Sequence, residues 1–238
     1  MAVAVDIKDL LKAGAHFGHQ TSRWHPKMAQ FIHSKRAGSH VIDLTKTVEG
    51  LEKALPFITK TVADGKQVLF VATKRQAKDI VKAAAEEAKM PYVTERWLGG
   101  MLTNVQTTTE RIKHLKMLET RMASGELANR YSKLEVQRFQ EEIDSLNAKY
   151  SGIKDMSGQP GVMFVVDMLV DKNAVAEARR LNIPVVAVVD TNANPDLADY
   201  VIPANDDAIK SIQLITDYIK QAVAEGVASR KTIEKKVA

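Results

Sequence analysis

Three groups of residues in this chain have the types and spacing to do chemistry. His16 and His19 lie three apart, a spacing at which two imidazoles on one helical turn can share a metal ion. Gly18 stands between them and no acidic or cysteine partner is near in sequence, so no metal is assigned here. Asp167, Asp190 and Asp206 each follow an apolar run. In a doubly wound sheet, carboxylates at strand ends can hold a metal or accept a phosphoryl group. The plainer reading is that Asp190 and Asp206 accept backbone N–H bonds or cap helices. The third group is Arg96-Trp97-Leu98-Gly99-Gly100-Met101-Leu102-Thr103-Asn104. Its guanidinium is a planar fork suited to phosphate, its indole is a rigid anchor, and its glycine pair permits close approach of another chain. The plainer reading there is a loop with a buried Trp.

The elements that must position these residues follow from hydrophobic periodicity. Strand-like runs occupy residues 40–44, 67–72, 92–94, 162–166 and 185–189, with a short further run at 200–202. Uninterrupted apolar strands imply burial on both faces, hence a parallel sheet covered by helices. Helical spacing fits residues 6–14, 46–63, 75–89, 172–181 and 206–224. The fold class is therefore α/β, a doubly wound, mostly parallel sheet. Residues 105–150 interrupt it. Val105, Ile112, Leu115, Leu118 and Met122, then Val136, Phe139, Ile143, Leu146 and Tyr150, form two heptad-like seams. Ser124-Gly125 stops the first helix, and Ser132 with Glu135 has capping-box spacing for the second. An antiparallel two-helix coiled-coil arm is the simplest expectation. The chain thus divides into residues 1–104 (an extended basic arm and the first part of the body), 105–150 (the insertion), 151–227 (the second part of the body) and 228–238 (a basic tail expected to be disordered).

Composition narrows the function. The 238 residues carry a net charge of +5 and no cysteine, which excludes disulfides and thiolate zinc sites. No apolar stretch approaches the roughly 20 residues needed to span a bilayer. The start of the chain lacks the positive charge and apolar run of a signal peptide, so the reading is cytoplasmic. Up to residue 40 the cations Lys8, Lys12, Arg23, Lys27, Lys35 and Arg36 face only Asp6 and Asp9. Five of the six histidines (His16, His19, His25, His33 and His40) lie in the same span. Such an arm suits a polyanion, and its imidazoles suit hydrogen bonding or stacking on nucleic acid. Enzyme signatures are absent: no G-x-G-x-x-G follows the first strand, and no G-x-x-x-x-G-K-[ST], H-E-x-x-H or G-x-S-x-G occurs. An enzyme or phosphate-binding module built on Asp167, Asp190 and Asp206 stands as the rival reading.

Six blocks also carry a resemblance. They are His16-Phe17-Gly18-His19-Gln20-Thr21 with Trp24-x-Pro26-Lys27-Met28; Phe70-Val71-Ala72-Thr73-Lys74-Arg75; the 96–104 stretch; Gly152-Ile153-Lys154-Asp155-Met156; Val189-Asp190-Thr191-Asn192; and Ile202-Pro203-Ala204-Asn205-Asp206-Asp207-Ala208-Ile209. In that order they resemble the bacterial small-subunit ribosomal protein two family, from about residue 10 to residue 226. The resemblance implies a flavodoxin-like body with a protruding coiled coil and no catalytic activity; no cofactor is expected. It implies 16S rRNA as ligand, on the solvent side between head and body. It also implies neighbouring small-subunit proteins, protein one among them, with no membrane and no homo-oligomer. Members often end in a longer acidic tail, which this chain lacks. On this reading phosphate contacts fall to Arg23, Lys27, Lys35, Arg36, Lys74, Arg75, Arg96, Lys113 and Lys116. His16, His19, Trp24, His25 and Trp97 stack, hydrogen-bond or pack at the RNA-facing surface, and Asn104 belongs to the same surface.

Overall fold

A computed structural model describes the backbone of residues 5–237 and the side chains of residues 5–230. Its core is a five-stranded parallel sheet of β4 (Val68–Val71), β5 (Tyr92–Val93), β6 (Val162–Val165), β7 (Val185–Val189) and β8 (Tyr200–Pro203), in the order β5-β4-β6-β7-β8. That is the strand order of flavodoxin-like doubly wound sheets, with the reversal between β4 and β6. The strands read Val-Leu-Phe-Val, Val-Met-Phe-Val and Val-Val-Ala-Val-Val, and every residue of β4, β6 and β7 is buried. One lateral row runs Tyr92, Phe70, Phe164, Val186, Tyr200. On that face lie α2 (Leu44–Ala63), α3 (Lys78–Ala88) and α8 (Ile209–Val237), which contribute Leu51, Leu55, Ile58, Val81, Ile212, Ile215 and Ile219. Phe70 and Phe164 meet edge to face at 5.6 Å, each adding about 1.5–3 kcal/mol of burial. The other face takes α7 (Lys172–Arg180), Trp97, Met101, Ile153 and Met28. Gly50 lets α2 lie directly on β8, since a Cβ there would collide with the Val201 carbonyl oxygen.

Residues before the first parallel strand depart from the sequence expectation. The run at 40–44 does not join the parallel sheet. β1 (Phe17–Gln20), β2 (Ile32–Arg36) and β3 (Ser39–Ile42) form a separate antiparallel sheet, β1-β3-β2, following α1 (Ile7–Lys12). The cause is local. Arg36 pairs with Ser39 around Ala37 (φ 49°) and Gly38 (φ 79°), a two-residue hairpin turn. Immediately after β3, Asp43 caps α2 by accepting the Thr45 N–H at 2.9 Å, which ends the strand. The fifth parallel strand is instead the short run at 200–203.

Residues 105–150 are helical as expected, as α4 (Val105–Ala123), a short unexpected α5 (Glu126–Arg130) and α6 (Lys133–Tyr150). The capping box forms: Glu135 accepts the Ser132 N–H at 2.9 Å while Ser132 Oγ accepts from Glu135 N. The apolar seam is made in its middle. Leu115, Leu118 and Ile143 are buried together, flanked by Met122, Phe139, Leu146 and Tyr150. Ile112 packs on the body instead, and Val105 is 60% exposed. The basic tail at 228–238 falls largely on residues whose side chains lie outside those described; its backbone continues α8 to Val237.

Candidate nucleic-acid interface and its carboxylate hub

Parallel strands all end at one edge, so the residues that follow them converge. Lys74 follows β4, Asp167 follows β6, Asp190 follows β7, and Asp206 and Asp207 follow β8. Lys74 Nζ lies 2.7 Å from Asp206 Oδ1, 2.7 Å from Asp207 Oδ1 and 3.2 Å from Asp167 Oδ2. Burial alone would lower the lysine's pKa; the surrounding carboxylates, Asp206 foremost, more than reverse this and hold it above the ordinary value. Burial, then the charges of Asp167 and Asp190, push the Asp206 carboxyl up to about 7 despite Lys74. Asp190 behaves as its plainer reading supposes, accepting the Thr191 N–H at 2.5 Å and the Asp206 N–H at 3.4 Å. Asp206 instead faces the ammonium. Asp167 Oδ1 accepts the N–H groups of Leu169 and Val170 at 2.8 and 3.1 Å.

The antiparallel sheet docks on this edge. His19, on β1, bridges Asp190 (Nδ1 to Oδ2, 3.1 Å) and Asp207 (Nε2 to Oδ2, 3.4 Å). The hydrogen bond to Asp190 raises its pKa against the opposing effect of burial. Its backbone N–H donates to Thr191 Oγ1 at 2.9 Å, and the His25 N–H donates to the Thr191 carbonyl at 2.7 Å. Gly18 makes this approach possible: a Cβ there would lie 2.6 Å from Thr191 Cγ2. His16 takes no part; it packs on Phe17 at 4.0 Å with its Nδ1 unpartnered. Among the described residues, His19, Asp206 and Asp207 bring ligand-type atoms within 4.8 Å of one another, close enough to share a cation. The cation resting on both carboxylates is the Lys74 ammonium. The hub holds more carboxylates than cations and ties strand ends together.

Two of the residues expected to face RNA are engaged within the protein. Lys74 is committed to three carboxylates with its side chain only 14% exposed, so an approaching phosphate meets acid first. Trp97 is 7% exposed and packed in the core, leaving no free ring face for a base. Lys27 and Lys116 are paired with Asp196 and Asp155. The other expected cations stand outside the hub: Arg23, Lys35, Arg36, Arg75, Arg96 and Lys113 are exposed, and none has an ion pair among the described residues. Lys35 Nζ lies 5.8 Å from the Trp24 ring, which packs at a 37° tilt against buried His40 with centroids 5.3 Å apart. His25 Nδ1 accepts the Lys27 N–H at 3.3 Å.

The 96–104 stretch is held by a residue that sequence reading missed. Glu177, on α7, accepts from Trp97 Nε1 (3.0 Å) and Gly100 N (2.8 Å) through Oε1. Its Oε2 accepts from Leu102 N (3.1 Å), Thr103 N (3.0 Å) and Thr103 Oγ1 (3.0 Å). Burial would raise its pKa, but these donors bring it below the ordinary value. Gly100, at φ 88°, gives the turn its shape, and Asn104 caps α4 by accepting the Thr107 N–H at 3.4 Å. Nothing in the spacing of a lone acid on α7 announces this role. The chemistry of the junction is structural: one carboxylate collects the backbone at the root of the insertion.

Comparison with known proteins gives a consistent result. The family model described as Ribosomal protein S2 matches residues 10–226. Small ribosomal subunit protein uS2 of Bifidobacterium longum is 49% identical over 231 residues, covering 97% of this chain and 82% of that protein. The protein of the same name from Dehalococcoides mccartyi is 48% identical over 229 residues, covering 96% and 93%. That from Coprothermobacter proteolyticus is 49% identical over 233 residues, covering 98% and 86%. The match spans the antiparallel sheet, both halves of the parallel sheet and the insertion between them, and the chain belongs to the ribosomal protein S2 family.

Proposed function

We propose that this chain is a structural constituent of the small ribosomal subunit in the cytoplasm, acting in translation without catalysis. It holds 16S rRNA by phosphate contacts and shape through the exposed cations of residues 21–40 and of the loops that follow β4 and β5, not through the carboxylate hub itself. The observation that carries this is a division of charge. The central cation, Lys74, is taken by acids, while Arg23, Lys35, Arg36, Arg75 and Arg96 remain exposed and unpaired among the described residues. Double-helical RNA hides its deep groove, so such a rim reads backbone and shape rather than sequence. Trp24 and His25 lie among these cations and serve as stacking and hydrogen-bonding groups. Trp97, His19 and Asn104 act by positioning.

The insertion is read as a coiled-coil lever: α4 and α6 share a buried seam at Leu115, Leu118 and Ile143, and Lys113 faces outward. Such a lever reaches RNA or neighbouring ribosomal proteins, protein one among them. The enzyme reading loses ground because the oxygens of Asp167, Asp190 and Asp206 are already engaged by Lys74, His19 and backbone N–H groups. Filter binding of 16S rRNA at several salt concentrations tests the interface. Replacing Arg23 and Arg36 by Gln should leave the fold intact and lower the salt slope by about 0.7–0.9 per lost contact. An unchanged slope would remove both residues from the interface.

A further inference from the structure

Doubly wound sheets take nucleotides at the carboxyl edge. Here that edge holds Asp167, Asp190, Asp206 and Asp207 against Lys74 and His19, an environment that repels phosphate. The opposite edge has the reverse character. A cleft of about 630 Å³ lies between the C-terminal end of α2 and the loops entering β6 and β7. That volume is within the roughly 300–1,000 Å³ of small-ligand sites. Phe57, Lys60, Asp64, Lys66, Gln159 and Asn182 line it. Gly161 also lines it, and its missing side chain lets the loop entering β6 pack directly against Lys66 and Thr61, where a Cβ would lie 2.5 Å from Lys66 Cβ.

We propose that this cleft takes a single unpaired nucleotide of RNA, with the base beside Phe57 and the phosphate at Lys60 and Lys66. The inference rests on the RNA-binding reading above and adds a second face to it. Phe57 is half-buried and stacked on Tyr200 at 4.5 Å, so its ring is fixed where it lines the cleft. Lys60 and Lys66 are exposed, and neither has an ion pair among the described residues. Asp64 is the single acid in the lining, leaving an excess of positive charge. Gln159 donates its Nε2 to the Leu181 carbonyl at 3.0 Å, which leaves its Oε1 to accept. The Asn182 side chain has no hydrogen-bond partner among the described residues and offers both a donor and an acceptor. An aromatic wall, amides for a base edge and two ammonium groups are what an unstacked nucleotide needs.

The test is a titration of the isotope-labelled full chain with AMP, UMP and, separately, inorganic phosphate, followed by amide chemical shifts. Saturable shifts confined to residues 57–66, 159–161 and 182–184, with the nucleotides binding more tightly than phosphate, are expected. The Lys60→Gln/Lys66→Gln variant, altered only at exposed positions, should bind at least about tenfold more weakly. No saturable shift, shifts elsewhere, or equal affinity for inorganic phosphate would overturn the proposal. Filter binding to 16S rRNA on the same preparation separates the two readings. Retained rRNA binding without nucleotide shifts removes the cleft alone; lost rRNA binding by the parent chain removes the broader function.

Discussion

At the scale of single residues, two acids do opposite things. Glu177 stays ionised because five donors converge on it. Glu177→Ala leaves those donors to find water in a part-buried junction. At about 1–3 kcal/mol per stranded buried group, with solvent rescuing the exposed Thr103, we expect a loss of about 3 kcal/mol in urea unfolding, with a shifted Trp97 emission. A loss under about 1 kcal/mol would mean that packing, not hydrogen bonding, holds the junction. Asp206 is pushed up to about 7, from 3.8 for an unperturbed carboxyl. Between those values the native state keeps a proton that the unfolded state has released, so this group's contribution to stability declines as pH rises. His19 acts in the same direction. Its pKa is raised above 6.5, so its contribution is full below 6.5 and is lost as pH climbs through the folded value. Melting temperatures taken from about pH 5 to about pH 8 should therefore fall, and Asp206→Asn should flatten the decline. A variant profile as steep as the parent's would contradict this. Asp190 as a backbone acceptor was legible in the sequence, because strand-end acids commonly do this. Glu177 was not, because its partners lie 74 to 80 residues away.

At the scale of elements, the parallel strands were readable from their unbroken apolar runs, and the helices from their stripes. Of the antiparallel sheet only the run at 40–44 was readable, and it was expected in the parallel sheet; β1 and β2 are short and largely polar, β2 reading Ile-His-Ser-Lys-Arg. The one local signal of antiparallel pairing was the hairpin turn at Ala37-Gly38. Docking of this sheet depends on Gly18. Gly18→Val should push β1 off Thr191 and expose residues 15–40 to trypsin. Cleavage after Arg23, Lys27 or Lys35 should run about tenfold faster, the effect of making opening about 1.4 kcal/mol easier. Unchanged cleavage would show that the sheet is held elsewhere. The insertion has its own small core of Leu115, Leu118 and Ile143. Replacing residues 107–148 with a short glycine linker should leave the α/β body folded by circular dichroism yet impair entry into the small subunit. Normal incorporation would deny the insertion its reach.

At the scale of the molecule, charge is sorted by depth. Acids gather at the end of the sheet around one lysine, whereas Arg23, Arg36, Arg75 and Arg96 are exposed. Composition alone showed a modest excess of +5 and could not reveal that sorting, because it depends on which strand ends meet. The order β5-β4-β6-β7-β8 also has a temporal side. β4 must wait for β6, which lies beyond the whole insertion. α2 must wait for α8, to which Thr59 is joined by a hydrogen bond spanning 163 positions. Contacts of such long sequence separation form late. A nascent chain therefore lacks the α8 cover over the apolar face of α2 until α8 has left the exit tunnel.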